Sequence, residues 1–198
     1  MDKYGVGQDP YCYAASSVLV NKLNISDESD LENAERDLTQ VAAEAIEFCP
    51  PPYDFEFFKE LHRQLFEDIY PWAGEVRIVD VSKGSTRFCT TSRIEPEARK
   101  IFSKLAEQRW FSGCTRDELI KNIAEFSGDL NILHPFREGN GRAMRLLCDF
   151  IVINAGYQVD WSPVDSALWL QASIDSVRCD YQAMQQVYSL CIGEELPV

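Results

Sequence analysis

Between residues 134 and 142 the chain reads His-Pro-Phe-Arg-Glu-Gly-Asn-Gly-Arg, a set of residue types unsuited to a mere connector. Histidine, with an ordinary pKa of about 6.5, is largely neutral at pH 7 and can accept a proton. Glu138 supplies a hard oxygen ligand of the kind a hard cation takes. Gly139 and Gly141 flank Asn140, letting the backbone curl and its N–H groups approach a ligand closely. A helix opening directly after such a turn is an anion site, because its free N–H groups and its dipole favour negative charge. Arg142 and Arg145 are three residues apart, so they share a helical face and can both reach terminal phosphates. Together these groups make a phosphate cradle with a base and a metal ligand. Singly, each has a plainer reading: a structural histidine, an ordinary turn, a routine loop carboxylate, a solvated helix face. Residue chemistry alone reaches "a phosphate site with a base nearby" and leaves the plainer readings open.

The elements that must position this loop are mostly helical. Ser29-Asp30-Leu31-Glu32 reads as a capping box, and Leu31, Ala34, Leu38, Val41, Ala42 and Ala45 recur at helical spacing up to Phe48. Pro50-Pro51-Pro52 ends that helix. A second helix carries Phe58, Leu61, Leu65 and Ile69 on one face. From Trp72 to Thr91 the pattern turns extended, with Val76, Ile78 and Val79-Asp80-Val81, a turn at Lys83-Gly84-Ser85, and a return through Arg87-Phe88-Cys89-Thr90. This predicts one β-hairpin over 75–91, the only β element expected. Capping boxes at Ser92–Glu95 and Thr115–Glu118 open two more helices, the second running to about Leu133. After the loop an apolar helix with Met144, Leu147, Cys148, Ile151 and Val152 ends near Gly156, and shorter amphipathic segments follow at 166–173 and 181–191. The expectation is an all-α domain with one hairpin, a single domain over 1–198.

Composition sets bounds. Hydrophobic residues are 45% and charged residues 26%, enough apolar material for a full core. No stretch suits a transmembrane helix and the N-terminus does not read as a signal peptide, so a cytoplasmic protein is the default expectation. The seven cysteines are scattered without a C-x-x-C pair, which argues against a disulfide framework or a structural zinc site. A net charge of −13 argues against direct nucleic-acid binding through a broad patch, yet a few local cations can still hold a triphosphate.

The loop resembles the signature of the Fic family, H-P-F-x-(D/E)-G-N-G-R-x-x-R. His134, Pro135, Phe136, Glu138, Gly139, Asn140, Gly141, Arg142 and Arg145 match every specified position. Asp9-Pro10-Tyr11 and Trp72-Ala73-Gly74 also resemble the family, and the likeness extends over essentially the whole chain. It implies a Fic-domain helical bundle with one β-hairpin flap, and protein adenylyltransferase activity with ATP as substrate and Mg²⁺. His134 would be the base that deprotonates a Ser, Thr or Tyr hydroxyl of a target protein. Glu138 would hold Mg²⁺. Gly139, Asn140 and Gly141 would form the anion hole, Arg142 and Arg145 would grip the outer phosphates, and Phe136 would anchor the loop. Thr86, Arg87, Phe88, Cys89 and Thr90 of the flap would align the target by strand addition. Adenine contacts are expected near Tyr11 and Tyr13 and near Trp169–Gln171.

Many relatives of this kind carry an inhibitory helix with the pattern (S/T)-x-x-x-E-(G/N). Here Glu32-Asn33 has Glu28 where Ser or Thr is required, and Glu138-Gly139 lies inside the loop itself. The resemblance therefore implies a bacterial toxin restrained by a separate small antitoxin, with the ATPase subunits of DNA gyrase and topoisomerase IV as targets. Rival readings are a Doc-like kinase, a phosphocholine transferase, or an idle partner-binding module. The intact Gly139-Asn140-Gly141-Arg142 favours AMP transfer over the first two.

Overall fold

The computed structural model describes residues 2–3 and 8–197. Aspartate opens the first helix, α1 (Glu28–Ala45): the Asp27 carboxylate accepts from the Asp30 N–H at 3.0 Å. The capping box expected at Ser29 is thus replaced by a cap two residues earlier, and the helix stops at Ala45, short of Phe48. Asp54 caps α2 (Phe55–Phe66) in the same way, its Oδ1 accepting from the Phe57 N–H at 2.8 Å. Both caps satisfy N–H groups that the helix leaves without intrahelical partners.

The hairpin is much shorter than expected. Only β2 (Val81–Lys83) and β3 (Thr86–Arg87) pair, with Ser82 opposite Arg87, and β1 (Asp2–Lys3) adds to the other edge of β2. Residues 76–80 form no strand, with bends at Ile78 and Val79, and their polar groups are satisfied elsewhere. The Arg77 guanidinium takes the Val79 carbonyl at 2.8 Å, and Asp80 Oδ1 accepts the Thr91 N–H at 2.8 Å. That second bond caps α3 (Thr91–Glu107) from outside, so the helix starts before the capping box expected at Ser92. The capping box at Thr115 does form at the head of α4 (Arg116–Leu133), with reciprocal bonds to Glu118.

The loop 134–139 then leads into α5 (Asn140–Asn154). Next come β4 (Tyr157–Val159), α6 (Ser166–Ser176), α7 (Gln182–Cys191) and β5 (Ile192–Glu195). Strands β4 and β5 pair antiparallel, a second small sheet that the sequence did not announce. Each strand is three or four residues long and they lie far apart in the chain, so no hairpin signal connects them.

Helix α4 is central, packing against α3, α5, α6 and α7, while α2 joins α1 to α5. Ile94, Leu119, Ile123, Leu147, Cys148 and Val152 are fully buried at these contacts. Gly128 permits a close approach: a Cβ there would lie 2.4 Å from a Tyr181 ring carbon. The free cysteines are distributed between core and surface, with Cys148 and Cys191 buried. Among the described residues, no helix is long and apolar enough to cross a membrane.

Candidate active site

His134 ends α4 in the left-handed conformation (φ 46°, ψ 60°), which turns the chain out of the helix and starts the loop. A β-carbon makes that conformation costly, and it persists where surrounding contacts hold it. Three contacts do so here. The His134 N–H still reaches the Leu130 carbonyl at 3.0 Å, the Arg77 Nε–H donates to the His134 carbonyl at 2.8 Å, and Phe88 stacks on the imidazole with centroids 3.7 Å apart.

The ring's protonation follows from its partners. His134 Nδ1 lies 3.0 Å from the Asn131 carbonyl, which can only accept, so Nδ1 carries the hydrogen and Nε2 keeps a lone pair. Burial, helped by the nearby Arg77 charge, pushes the pKa down to about 3. The imidazole is therefore neutral at pH 7, with Nε2 available as a base.

The rest of the loop is braced from several elements. Asn140 closes it on itself: its side-chain amide donates to the Phe136 carbonyl at 2.8 Å and accepts the Phe136 N–H at 2.9 Å. Phe136 is fully buried, stacked on His62 at 3.8 Å and packed on Phe58 at 5.2 Å. Arg137 makes a buried ion pair with Asp9 at 2.9 Å. His62, wholly buried on α2, uses both ring nitrogens: Nε2–H donates to the Glu138 carbonyl at 3.0 Å and Nδ1 accepts the Gly74 N–H at 2.9 Å. Desolvation by burial pushes the His62 pKa down to about 3.

Gly139 has φ +77° and sits against Phe66, where a Cβ would come within 2.2 Å of the ring. No other residue fits both conditions. Helix α5 begins at Asn140, and its first intrahelical bond runs from the Ala143 N–H to the Gly139 carbonyl. The N–H groups of Asn140, Gly141 and Arg142 precede that bond and have no i−4 partner. A Cβ at Gly141 would meet nothing within 4 Å, so this end of the helix is open. Glu138 Oε1 accepts the Gly139 N–H at 2.9 Å, and its second oxygen has no hydrogen bond among the described residues.

The two arginines face different supports. Arg142 pairs with Glu35 of α1, donates to Thr39 Oγ1 at 3.3 Å, and lies 4.8 Å over the Phe66 ring. Arg145 lies over Trp169 at 5.5 Å and Trp161 at 6.0 Å, and burial lowers its pKa. Both line a cleft of about 320 Å³ together with Arg36, Thr39, Gln40 and Trp161. Its one carboxylate, Asp149, accepts from Trp161 Nε1 at 2.6 Å, and burial pushes its pKa up to about 6. A locally cationic cleft thus exists on a chain of net charge −13.

The flap residues separate. Thr86 and Arg87 form the outer strand of the three-stranded sheet. Phe88 is buried on His134, its N–H bonded to the Val81 carbonyl; the Cys89 N–H is taken by the Ile132 carbonyl at 2.9 Å, and Thr90 is the N-cap of α3. Of these five flap residues, only Thr86 and Arg87 therefore lie on an outer strand edge. Tyr11 packs edge-on against Trp72 and its hydroxyl accepts the Ile78 N–H, while Trp169 stands beside Arg145. Sequence reasoning missed Glu35, His62, Arg77 and Tyr70. A polar residue on the apolar face of a helix, as His62 is between Phe58 and Leu65, was the available signal for one of them.

Fold and site together define a class: a helical domain built around a loop that ends one helix and opens the next. The chain belongs to the Fic/DOC family, whose model matches residues 52–152. It is 35% identical over 193 residues to the probable protein adenylyltransferase Fic of Escherichia coli K12, covering 98% of this chain and 96% of the relative. It is 34% identical to protein adenylyltransferase VbhT of Bartonella schoenbuchensis over 89% of this chain, which is 37% of that longer protein. Among solved structures, the ADP-bound Fic domain of a Bartonella quintana effector superposes with a TM-score of 0.87 at 27% identity, covering 93% of this chain and 95% of that one. BepC of Bartonella tribocorum, solved with AMPPNP, has the same fold, with a TM-score of 0.87 at 24% identity over 93% of this chain and 97% of that one.

Proposed function

We infer that this enzyme, a protein adenylyltransferase, moves AMP from ATP to a Ser, Thr or Tyr hydroxyl of a target protein. The observation that carries this reading is the lone pair on His134 Nε2, held on a neutral ring just ahead of the open N-terminus of α5. Nε2 takes the hydroxyl proton as the oxygen attacks the α-phosphorus, the bond from that phosphorus to the bridging oxygen breaks, and pyrophosphate leaves. The free amides of Asn140, Gly141 and Arg142 face the charge that develops on the phosphates, and Arg142 with Arg145 orients the outer ones. Asn140 contributes its backbone N–H, since its side chain closes the loop.

Glu138 is the residue that would hold Mg²⁺. Among the described residues no group of three or more His, Cys, Asp or Glu forms a cage, and a single carboxylate with an uncommitted oxygen suits a cation that arrives with the phosphates. When bound, Mg²⁺ would neutralise phosphate charge.

The target strand would add to the outer edge at Thr86–Arg87, with Phe88 keeping His134 in place beneath it. We further propose that the targets are the ATPase subunits of gyrase and topoisomerase IV in the cytoplasm. The restraint would come from a separate antitoxin chain, a reading supported by family resemblance and by the absence of an (S/T)-x-x-x-E-(G/N) motif. The test is incubation with α-labelled and, separately, γ-labelled ATP and each purified ATPase subunit. Label from the α position alone supports AMP transfer. Label from γ alone identifies a kinase, and no transfer in either case points to a binding module. Adding the proposed antitoxin should abolish α-label transfer, and undiminished transfer would exclude restraint in trans.

A further inference from the structure

Arg142 does not project freely into the cleft. Behind it, on α1, Glu35 is buried, with its side chain 11% exposed against 27% for that of Arg142. One Glu35 carboxylate oxygen accepts from Arg142 Nη2 and the other accepts from the Tyr70 hydroxyl. Tyr70 is itself fixed, stacked on Trp72 with centroids 4.3 Å apart. Thr39, one turn along α1, donates its hydroxyl proton to the Glu35 carbonyl at 2.7 Å and accepts from Arg142 Nη1 at 3.3 Å. Phe66 covers one face of the guanidinium. The group is thus held by two helices and oriented from behind, while the cleft side stays open.

A guanidinium has five donors in a rigid fork, so tying two of its nitrogens from behind sets the plane in which the remaining donors point. A long arginine side chain left unheld would sample many rotamers and lose that entropy on meeting phosphate. We propose that Glu35 is a positioning residue for the reaction, holding Arg142 in the orientation that takes the outer phosphates of ATP, with Tyr70 fixing Glu35 in turn. This rests on the reading of the cleft as the phosphate site. It is distinct from an inhibitory contact, in which the carboxylate would compete with phosphate for the arginine and its removal would raise the rate.

The experiment is a double-mutant cycle on the full chain, measuring kcat and KM for ATP with α-labelled nucleotide for wild type, Glu35→Ala, Arg142→Ala and the double variant. Glu35→Gln serves as the variant that keeps a neutral acceptor if the alanine variant does not fold. Glu35→Ala should lower kcat/KM for ATP on the order of 10-fold to 100-fold, the scale of a misplaced binding group. It should cost nothing further in the Arg142→Ala background. Glu35→Gln should fall between wild type and Glu35→Ala. A rate increase, an unchanged rate, or the same fall in both backgrounds would each overturn the proposal. If wild type itself transfers no AMP, the reading of the site fails instead. Glu35 is then judged by equilibrium ATP affinity, whose loss in Glu35→Ala supports the assignment and whose constancy refutes it.

Discussion

His62 should make this protein acid-sensitive in a way that can be counted. Its imidazole is satisfied only when neutral: Nδ1 accepts the Gly74 N–H, and a proton there would turn that acceptor into a donor facing a donor. Burial holds the folded pKa down at about 3, whereas in the unfolded chain it returns to about 6.5. Because the folded value is the lower one, the stabilisation is fully present above about pH 6.5. It is lost as pH falls from there toward 3, since the unfolded state takes up the proton and the folded state does not. Between pH 7.5 and 5.5 this amounts to about 1.4 kcal/mol for one such group. His134, the chain's only other histidine, shifts in the same direction, and Asp149, with its raised pKa, works in the opposite one. Comparing wild type with His62→Gln cancels both. Urea unfolding at pH 7.5 and 5.5 should give a wild-type stability loss larger by about 1.4 kcal/mol than the variant's. The variant will also be less stable at both pH values, having lost the stack on Phe136, but that offset is constant. Equal pH decrements for the two proteins would refute the argument that His62 is buried neutral.

His134→Ala should abolish AMP transfer while leaving the fold intact by circular dichroism, and a variant that still modifies its target at the normal rate would remove His134 as the base. With the His134 pKa depressed to about 3, an NMR titration of its imidazole should show no protonation between pH 8 and about pH 5, and a midpoint near 6.5 would contradict the burial argument. Arg77→Met removes the donors to the His134, Val79 and Cys89 carbonyls and should destabilise the protein by about 3 kcal/mol or more in urea unfolding; wild-type stability would mean those carbonyls find other partners. Gly139→Ala, forced into φ +77° against Phe66, should cost about 2 kcal/mol or more and depress transfer even at temperatures where it stays folded. Unchanged kinetics there would show that the loop does not need its present path.

Most of the helices were legible because helical periodicity is local. The apolar positions of α2, α4 and α5 recur every three or four residues whatever the rest of the chain does, and Thr115–Glu118 caps its own helix. Two failures lie where a cap or a strand partner comes from elsewhere, whereas at α1 the cap is local, Asp27 standing two residues ahead of the box expected at Ser29. Asp80 caps α3 across eleven positions, so the local signal at Ser92 gave the wrong start. Strands β4 and β5 are brought together by the helices between them and carry no turn sequence of their own.

The loop at 134–142 divides in the same way. Its residue types, their order and the helix that follows are contiguous, and from them the sequence pointed to a phosphate site with a base, and through resemblance to the family. What only the tertiary structure decided is how each of those residues is held. Glu35 lies 107 positions from Arg142, His62 lies 76 from Glu138, Arg77 lies 57 from His134, and Asp9 lies 128 from Arg137. Periodicity and motif spacing act over a few turns of chain, whereas these partners meet only once distant segments have packed together. The orientation of Arg142 follows from that packing, because the Glu35 carboxylate must arrive at hydrogen-bond distance before it can hold the guanidinium, whereas the proton on His134 Nδ1 is set locally by the Asn131 carbonyl three residues back.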